Sequence, residues 1–597
     1  MMTVRTRIFT WCLTLLTVSL LTGCFTSGLD AIDRQVTDLL RQQQLASLGE
    51  ANQNDPNRVP VMTADPAEKA GTYDRHPSTN HPGAGELPAT RLPEGQMLRD
   101  PENPDADVAD FSKEPALEMD LEAALTYAIE HAPEYRNRKE SLFLAAIDLL
   151  IERHLWGPRF FNDLTASFTG TPEAGDHSHA LSLVNELRAT QRLPHGGEIS
   201  ARAIVNFVEQ LRTVSGDPND AEQSAEIRLT ATIPLLRGAG IVAQESLIQA
   251  NRDLIYATRT FEQFRQQFVV SVSSDYFSLL QEQGRIRNIE SQVKNLEWLS
   301  ARIDALAQAG REPYCEVQRS QQQVLFARNN LLSARERYSS LLDSFKIRIG
   351  INPTRKLELL PTDVQVPIPQ LDPEQATKTA FALRLDLQTS EDQIDDARRA
   401  VTIARNNLLP DLDLFAEVRL PTDASKRRGS NDIDPGSCSY SVGATFGAPI
   451  DRRTEQLSHR ASLINLERSQ RSYTLLRDEI ASDVRRSVRQ IARSQSTLEL
   501  QNRNLELAQK RRDGVVLRLR TLGPRDFIES EDDLRQALDE RDQAVRDLRV
   551  SVLNYLVDTG QMRVTGSGQW QPPAKLVPAA AAPAVPPANA QMGPQPG

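Results

Sequence analysis

The sequence predicts a mainly α-helical chain with a transmembrane β contribution, assembled twice over from a helix, strands, a long helix and a returning helix. Three observations predict it. Apolar residues in the helical segments keep heptad spacing, the segments between helices alternate apolar with polar residues, and both halves of the 597-residue chain repeat the same order of elements.

The N-terminus comes first. Arg5 and Arg7 precede the apolar run "IFTWCLTLLTVSLL", which is the layout of a secretory signal peptide over residues 1–23. That run is shorter than the ~20 residues a membrane helix needs. Leu21-Thr22-Gly23-Cys24 resembles the bacterial lipobox, in which the cysteine sulfur is lipidated and becomes the new N-terminus. Phe25 follows, not the aspartate that holds lipoproteins at the inner membrane, so an outer-membrane destination is expected.

Beyond Cys24 no apolar run is long enough to span a bilayer as a helix. The formal net charge is -11 and no basic face emerges to neutralise phosphates, which excludes nucleic acid as a partner. Cys315 and Cys438 are the two cysteines outside the leader and lipobox. Two isolated cysteines so far apart do not make a disulfide scaffold. Residues 29–48 have the spacing of a small amphipathic helix, through Leu29, Ile32, Val36, Leu39 and Leu40. Residues 24–117 are otherwise read as a lipid-anchored extension and flexible tether, and 563–597 as a disordered Pro/Ala tail.

Between these lie two repeats, 118–350 and 374–562, joined by a connector over 351–373. Each opens with a helix of middling length (134–156 and 386–408), passes through strands into a very long helix, and turns at a glycine into a shorter return helix. The turns are "LAQAGREPYCEV" and "LRTLGPRDFIES", where Glu316 and Glu529 each fall six residues after Gly310 and Gly523. Val317, Val324, Leu331, Tyr338 and Phe345 form one heptad seam, with Ser320, Ala327, Ala334 and Leu341 beside it. Small residues in such a seam permit close helix approach. Ile480, Val484, Val488, Ile491, Leu498 and Leu505 mark the second long helix, and Leu538, Val545 and Val552 the second return helix. A helix over 241–309 would be about 100 Å long at 1.5 Å per residue. The helices at 314–350 and 386–408 together nearly match it, so end-to-end stacking of that pair is expected, with a short helix "PEQATKTAFAL" in the connection between them.

The strands alternate with period two. In "DLDLFAEVRL", Leu412, Leu414, Ala416, Val418 and Leu420 alternate with Asp411, Asp413, Phe415, Glu417 and Arg419. "AEIRLTATIPL", "NDLTASF", "EISARAIVNF" and "SYSVGATF" behave alike. The neighbouring heptad helices are committed to one another, so lipid is the expected cover for the apolar face, and hydrocarbon admits only closed barrels. One chain has too few strands to enclose a wide pore, which implies an oligomer.

Together these features resemble the TolC-type outer-membrane efflux proteins over roughly 118–562. "LRLDLQTSEDQIDDARRAVTIARNNLLPDLDL" resembles the repeat opening, "IPLLRGAGIVAQ" and "APIDRRTEQL" the strand-to-helix junctions, and the two glycine turns the periplasmic tips. The resemblance implies a homotrimer closing one β-barrel above an α-helical barrel, and a passive duct that docks on a periplasmic adaptor and an inner-membrane transporter. It also implies an N-terminal lipid on Cys24. The glycines Gly310 and Gly523 and the charged residues close to these turns, Arg311, Glu316, Arg518, Arg520, Arg525, Asp526 and Glu529, are the candidates for gating or adaptor docking, the alternative being that the charged ones are solvated tip residues. The sequence departs from the family in its long tether, its Pro/Ala tail, and residues 180–209, which add a hairpin expected to extend the outer end of the barrel.

No phosphate loop, paired-cysteine metal spacing or nucleophile elbow is present. "DHSH" at 176–179 is read as an external loop, and His131 and His154 as helix surface or packing residues. No enzyme, cofactor or metal is expected. The competing reading is a coiled-coil envelope lipoprotein that tethers layers without a pore. It has no use for two-faced strands.

Overall fold

A computed structural model describes residues 32–40, 117–173, 176–212, 221–361, 368–369, 371–421, 435–519, 523–564 and 570–571. It divides into two compact units, one containing Ser141–Thr258 and Thr389–Tyr473, the other Arg259–Gln388 and Thr474–Gly597 with the residues just before Ser141.

The first unit is built on a sheet. Strands β2 (Arg159–Glu173), β3 (Asp176–Arg192), β4 (Glu198–Arg212), β5 (Ala221–Pro234), β7 (Asp411–Pro421) and β8 (Ser439–Gly447) pair in that order, every neighbour antiparallel. Four strands come from the first repeat and two from the second. Residues 180–209 therefore form an added hairpin between β2 and β5, and it pairs from the helix end of the sheet, where an extension of the outer end was expected. β3 pairs with β2 from Thr190 opposite Arg159, and β4 with β5 from Glu198 opposite Thr232, so the hairpin runs inside the sheet.

The β3–β4 turn explains this placement. Leu193 N–H donates to Gly197 O, and Gly196 and Gly197 both take positive φ (98° and 89°). The Gly240 N–H donates to His195 O at 2.9 Å, and Gln244 Nε2 to Pro194 O at 2.7 Å. A Cβ on Gly196 would lie 2.8 Å from the Gly238 carbonyl oxygen. The turn is thus seated against the entry to α3 (Ile241–Gln308), at the helix end of the sheet.

Helix α6 (Leu385–Asn406) docks on α3 in the same unit through a polar clamp. Arg252 reaches Asp392 (3.0 Å), Tyr256 OH donates to Asp396 Oδ2 (2.5 Å), and Arg399 pairs with Glu245 (3.2 Å). Arg153 and Glu152 of α2 (Pro133–Leu155) bond Asn251 and Ser246 of α3. Residues 32–40 are helical with Val36, Leu39 and Leu40 buried, within the span read as amphipathic.

The second unit holds the helical hairpins. α3 returns through α4 (Tyr314–Ile349), and α7 (Arg453–Leu517) through α8 (Pro524–Asp558). The repeat openings carry matching caps: Asp120 accepts from the Ala123 amide before α1 (Leu121–His131), and Asp372 from the Glu374 amide before α5 (Pro373–Leu383). Such side-chain acceptors satisfy amides that have no partner inside the helix. α5 coincides with "PEQATKTAFAL". β1 (Leu117–Met119) pairs in parallel with β6 (Leu357–Leu359), tying the end of the segment read as tether to the connector. β9 (Arg563–Val564) pairs with β10 (Trp570–Gln571), so ordered backbone extends into the segment read as a disordered tail.

End-to-end stacking occurs within each repeat, not between 314–350 and 386–408. Gly350, at the end of α4, abuts His131 and Ala132 at the α1–α2 junction, while Gly560, at the end of α8, abuts Leu383 at the α5–α6 junction. Arg384 Nη1 also donates to Asp558 O. Summed lengths could not distinguish these pairings, because α2 and α6 are nearly equal (23 and 22 residues).

Gly310 and Gly350 close α3 and α4 with the same pair of bonds. Gly310 N–H donates to Ala307 O and Arg311 N–H to Leu306 O, while Gly350 N–H donates to Ile347 O and Ile351 N–H to Lys346 O. Their φ values are 71° and 85°. This left-handed cap favours glycine by roughly 1 kcal/mol. Only Gly350 is also crowded: a Cβ there would lie 2.4 Å from the His131 carbonyl oxygen, whereas the space around Gly310 is open. Gly350→Ala should therefore destabilise the helical unit by about 2–3 kcal/mol and Gly310→Ala by about 1. Equal midpoints in chemical denaturation would contradict the stacked junction.

Candidate functional site

The sheet has two chemically opposite faces, and the strand register aligns each across the strands. One row runs Phe160, Leu164 and Phe168 on β2, Leu181, Leu183 and Leu187 on β3, and Ile199, Val205 and Phe207 on β4. It continues through Ile227, Leu229 and Ile233 on β5, Leu412, Leu414, Val418 and Leu420 on β7, and Tyr440, Val442 and Phe446 on β8. Many of these large side chains are exposed: Phe160 at 73%, Phe168 at 63%, Tyr440 at 80% and Val442 at 71%. A water-soluble sheet would leave that face at a cost of about 25 cal/mol per Å².

The other face is polar. Arg188, Arg202, Arg228 and Arg419 lie directly opposite one another on β3, β4, β5 and β7. Like charges directly across a sheet are unfavourable. Carboxylates interleave with them: Arg188 reaches Asp163 (3.9 Å), Arg202 reaches Glu186 (3.7 Å), Arg228 reaches Glu226 (2.7 Å), and Arg419 reaches Glu417 (2.9 Å) and Glu226 (3.3 Å). Arg188 also stacks over Phe161 at 4.9 Å. This belt was not singled out from sequence, because its four arginines come from segments far apart in the chain and only the register aligns them.

The helical turns form the second feature. The ends of both hairpins share one core: Leu299 and Ile303 of α3, Val317 and Val324 of α4, Val515 of α7, and Phe527 and Ile528 of α8. The heptads place these residues on facing stripes. Across α3 and α8, Gln292 Nε2 donates to Asp532 and Trp298 tilts against Phe527 at 6.0 Å. Glu531, only 3% exposed, accepts from Arg512 Nε of α7 and Asn295 Nδ2 of α3, both at 2.9 Å. Burial works against charge on Arg512, yet the bond to Glu531 and its charge raise the guanidinium pKa above its ordinary value.

The expected turn residues are only partly brought together. Glu529 pairs with Arg511 (3.3 Å), which also meets Asp533. Glu316 pairs locally with Arg319 (2.6 Å). Asp526 accepts from the Gly523 amide (3.2 Å) and caps α8. Gly310 closes α3, and Arg311, Arg518 and Arg525 are exposed. Cys24 and Arg520 lie outside the described residues. The exposed pairs each contribute about 0–1 kcal/mol. Glu531 was missed from sequence: nothing in "IESEDDL" distinguishes the buried acid from its solvated neighbours.

Among the described residues no cluster fits a metal ion, and no helix is long and apolar enough to cross a membrane. Cys315 and Cys438 are free and exposed.

Residues 377–513 match the outer membrane efflux protein family. The chain superposes on the outer-membrane channel OprN at 15% identity and TM-score 0.57, covering 76% of this chain and 91% of that one. It also superposes on VceC from Vibrio cholerae (11% identity, TM-score 0.56, 74% and 96%) and the CmeC outer membrane channel of Campylobacter jejuni (13%, 0.53, 81% and 94%). The fold is that of an outer-membrane efflux channel. No curated protein matches the chain. OprN and CmeC are outer-membrane channels, not enzymes.

Two outcomes follow for the helical unit. Glu531→Ala strands the Asn295 amide and removes the buried partner of Arg512, which keeps Asp513, and should lower helical-unit stability by about 1–3 kcal/mol, with Glu531→Gln costing less. Faster hydrogen exchange across α3 and α7 would accompany it, and an unchanged melting curve would contradict the clamp. On α8, burial raises the Asp542 carboxyl above its ordinary 3.8, against the opposing charge of Arg541. A raised carboxyl pKa makes the folded state bind more protons, so this contribution to stability falls as pH rises from about 4 through the folded value. Asp542→Asn should therefore be more stable than the parent at pH 7, with the gap closing toward pH 4 in denaturant titrations.

Proposed function

We propose that this chain is the outer-membrane channel of a tripartite efflux or type I secretion system, passively conducting substrates from a periplasmic duct across the outer membrane. The apolar face over six strands, broken by the hydrogen-bonded Asn162–Asn185 pair and backed by a charged face, carries the reading. It fits a wall with lipid on one side and water on the other. The family match and the efflux-channel fold support it.

Backbone groups at the two sheet edges need partners in hydrocarbon, so copies of the chain join, as a homotrimer, into a closed barrel. Cys24 carries an N-terminal lipid that secures the assembly in the outer membrane. The turns at 309–313 and 518–523 meet the helical hairpins of a periplasmic adaptor tip to tip, and the adaptor links the duct to an inner-membrane transporter that supplies the energy. Arg311, Glu316, Arg518, Arg520, Arg525, Asp526 and Glu529 line this end and hold the closed state through polar contacts, with Gly310 and Gly523 setting the turns. The pore-less tether accounts for the heptads but leaves the apolar sheet face without a purpose.

Arginine on the lipid side of a barrel costs about 2–4 kcal/mol near the bilayer centre, whereas lumen positions tolerate it. Ile227→Arg should abolish membrane integration and planar-bilayer conductance. Thr230→Arg, on the opposite face, should integrate and conduct. Equal behaviour of the two would reject the channel.

A further inference from the structure

The sheet has six strands, four from the first repeat and two from the second, with the β3–β4 hairpin between β2 and β5. We propose that the β3–β4 hairpin is part of the membrane wall, so that three copies of six strands close an eighteen-stranded barrel of wide bore. This rests on the trimeric channel reading and adds the strand number to it.

Three observations place the hairpin in the wall. Its pairing is complete: β3 follows β2 over the whole of β2, and β4 follows β5 from Glu198 to Glu209. Its turn is fastened to the α3 entry by the bonds from Gly240 and Gln244, so the hairpin starts level with the other strands at the helix end. Its faces also match those of the sheet. Leu181, Leu183, Leu187, Ile199, Val205 and Phe207 continue the apolar side, while Arg188 and Arg202 supply half of the arginine belt. A hairpin projecting into water would have no reason to keep either face in register with β5 and β7.

Closure is geometrically allowed. Every adjacent pair is antiparallel and the number of strands is even, so edge strands β2 and β8 run in opposite directions. β8 of one copy can therefore pair antiparallel with β2 of the next all the way round. With strands about 4.8 Å apart and tilted about 40°, eighteen strands give a backbone diameter of about 36 Å, against about 24 Å for twelve. The larger figure falls among barrels that keep an aqueous channel.

Leu187 shares a register row with Ile227 through Ala203, so the two test the same wall on different strands. In full-length protein expressed in outer membranes, L187R should lower the membrane-integrated trimer at least tenfold, as I227R does. Normal integration of L187R alongside loss of I227R would overturn the inference and leave the channel intact. Integration of both would sink the channel reading and the inference with it. Single-particle imaging of the parent chain in lipid nanodiscs reads the number directly. Eighteen strands with a backbone diameter of about 36 Å are expected, and twelve strands at about 24 Å with a projecting hairpin would overturn the inference. A particle without a lumen would instead overturn the channel.

Discussion

In the proposed channel, backbone amides in hydrocarbon have no water to bond, and the sheet unit answers to that constraint. A strand can satisfy its amides and carbonyls there only through neighbours on both sides. Period-two patterning then settles which side chains meet lipid, and a register slip of one residue would turn every one of them to the wrong side. Close packing across the ladder helps hold the register. Gly443 sits opposite Phe415, where a Cβ would come within 2.4 Å of the ring, so the ring lies over the glycine. At the helix end the Gly196–Gly197 turn is bonded to residues that begin α3. The register of these strands is fixed within one chain.

The helical unit solves a different problem. Its helices are long, and α7 is exposed along much of its length, packing through a narrow seam that includes Ile480, Val484, Val488, Ile491 and Ser494, whereas α3 buries larger side chains such as Phe268, Tyr276 and Leu299. Polar clamps across these seams add specificity to a weakly discriminating apolar stripe. Ser494 meets Ser551 at 3.2 Å, Asn288 donates to Asp539, and Glu531 bridges α3 and α7 near the turns. A buried acid held by two donors tolerates few alternative helix registers.

Much of this was legible in the sequence. The reading placed α3 and α4 to within a residue at each end, heptad seams marked stretches of α7 and α8, and alternation gave the faces of β5 and β7 residue by residue. Glycine followed by charge marked both turns. What could not be read was how distant segments come together. The stacking partners of α4 and α8 depend on the contacts of Gly350 and Gly560, which spacing does not encode. The level of the added hairpin depends on two bonds from its turn. The arginine belt and the Glu531 clamp exist only once four strands, or three helices, have been aligned. Local patterning specifies elements, whereas long-range register specifies sites.

The glycine-capped ends of α4 and α8 have a mechanical consequence. At Gly350 and Gly560 the helical hydrogen bonds are closed off by the cap itself, so α4 and α8 end without leaving the stacked junction dependent on a continuous ladder. Pivoting at such a joint disturbs side-chain contacts and leaves the backbone bonding of both pieces whole. α3 and α7 run past the same levels unbroken and could bend there only by stretching their own ladders. Compliance is therefore built into the returning members of each hairpin and withheld from the outgoing ones.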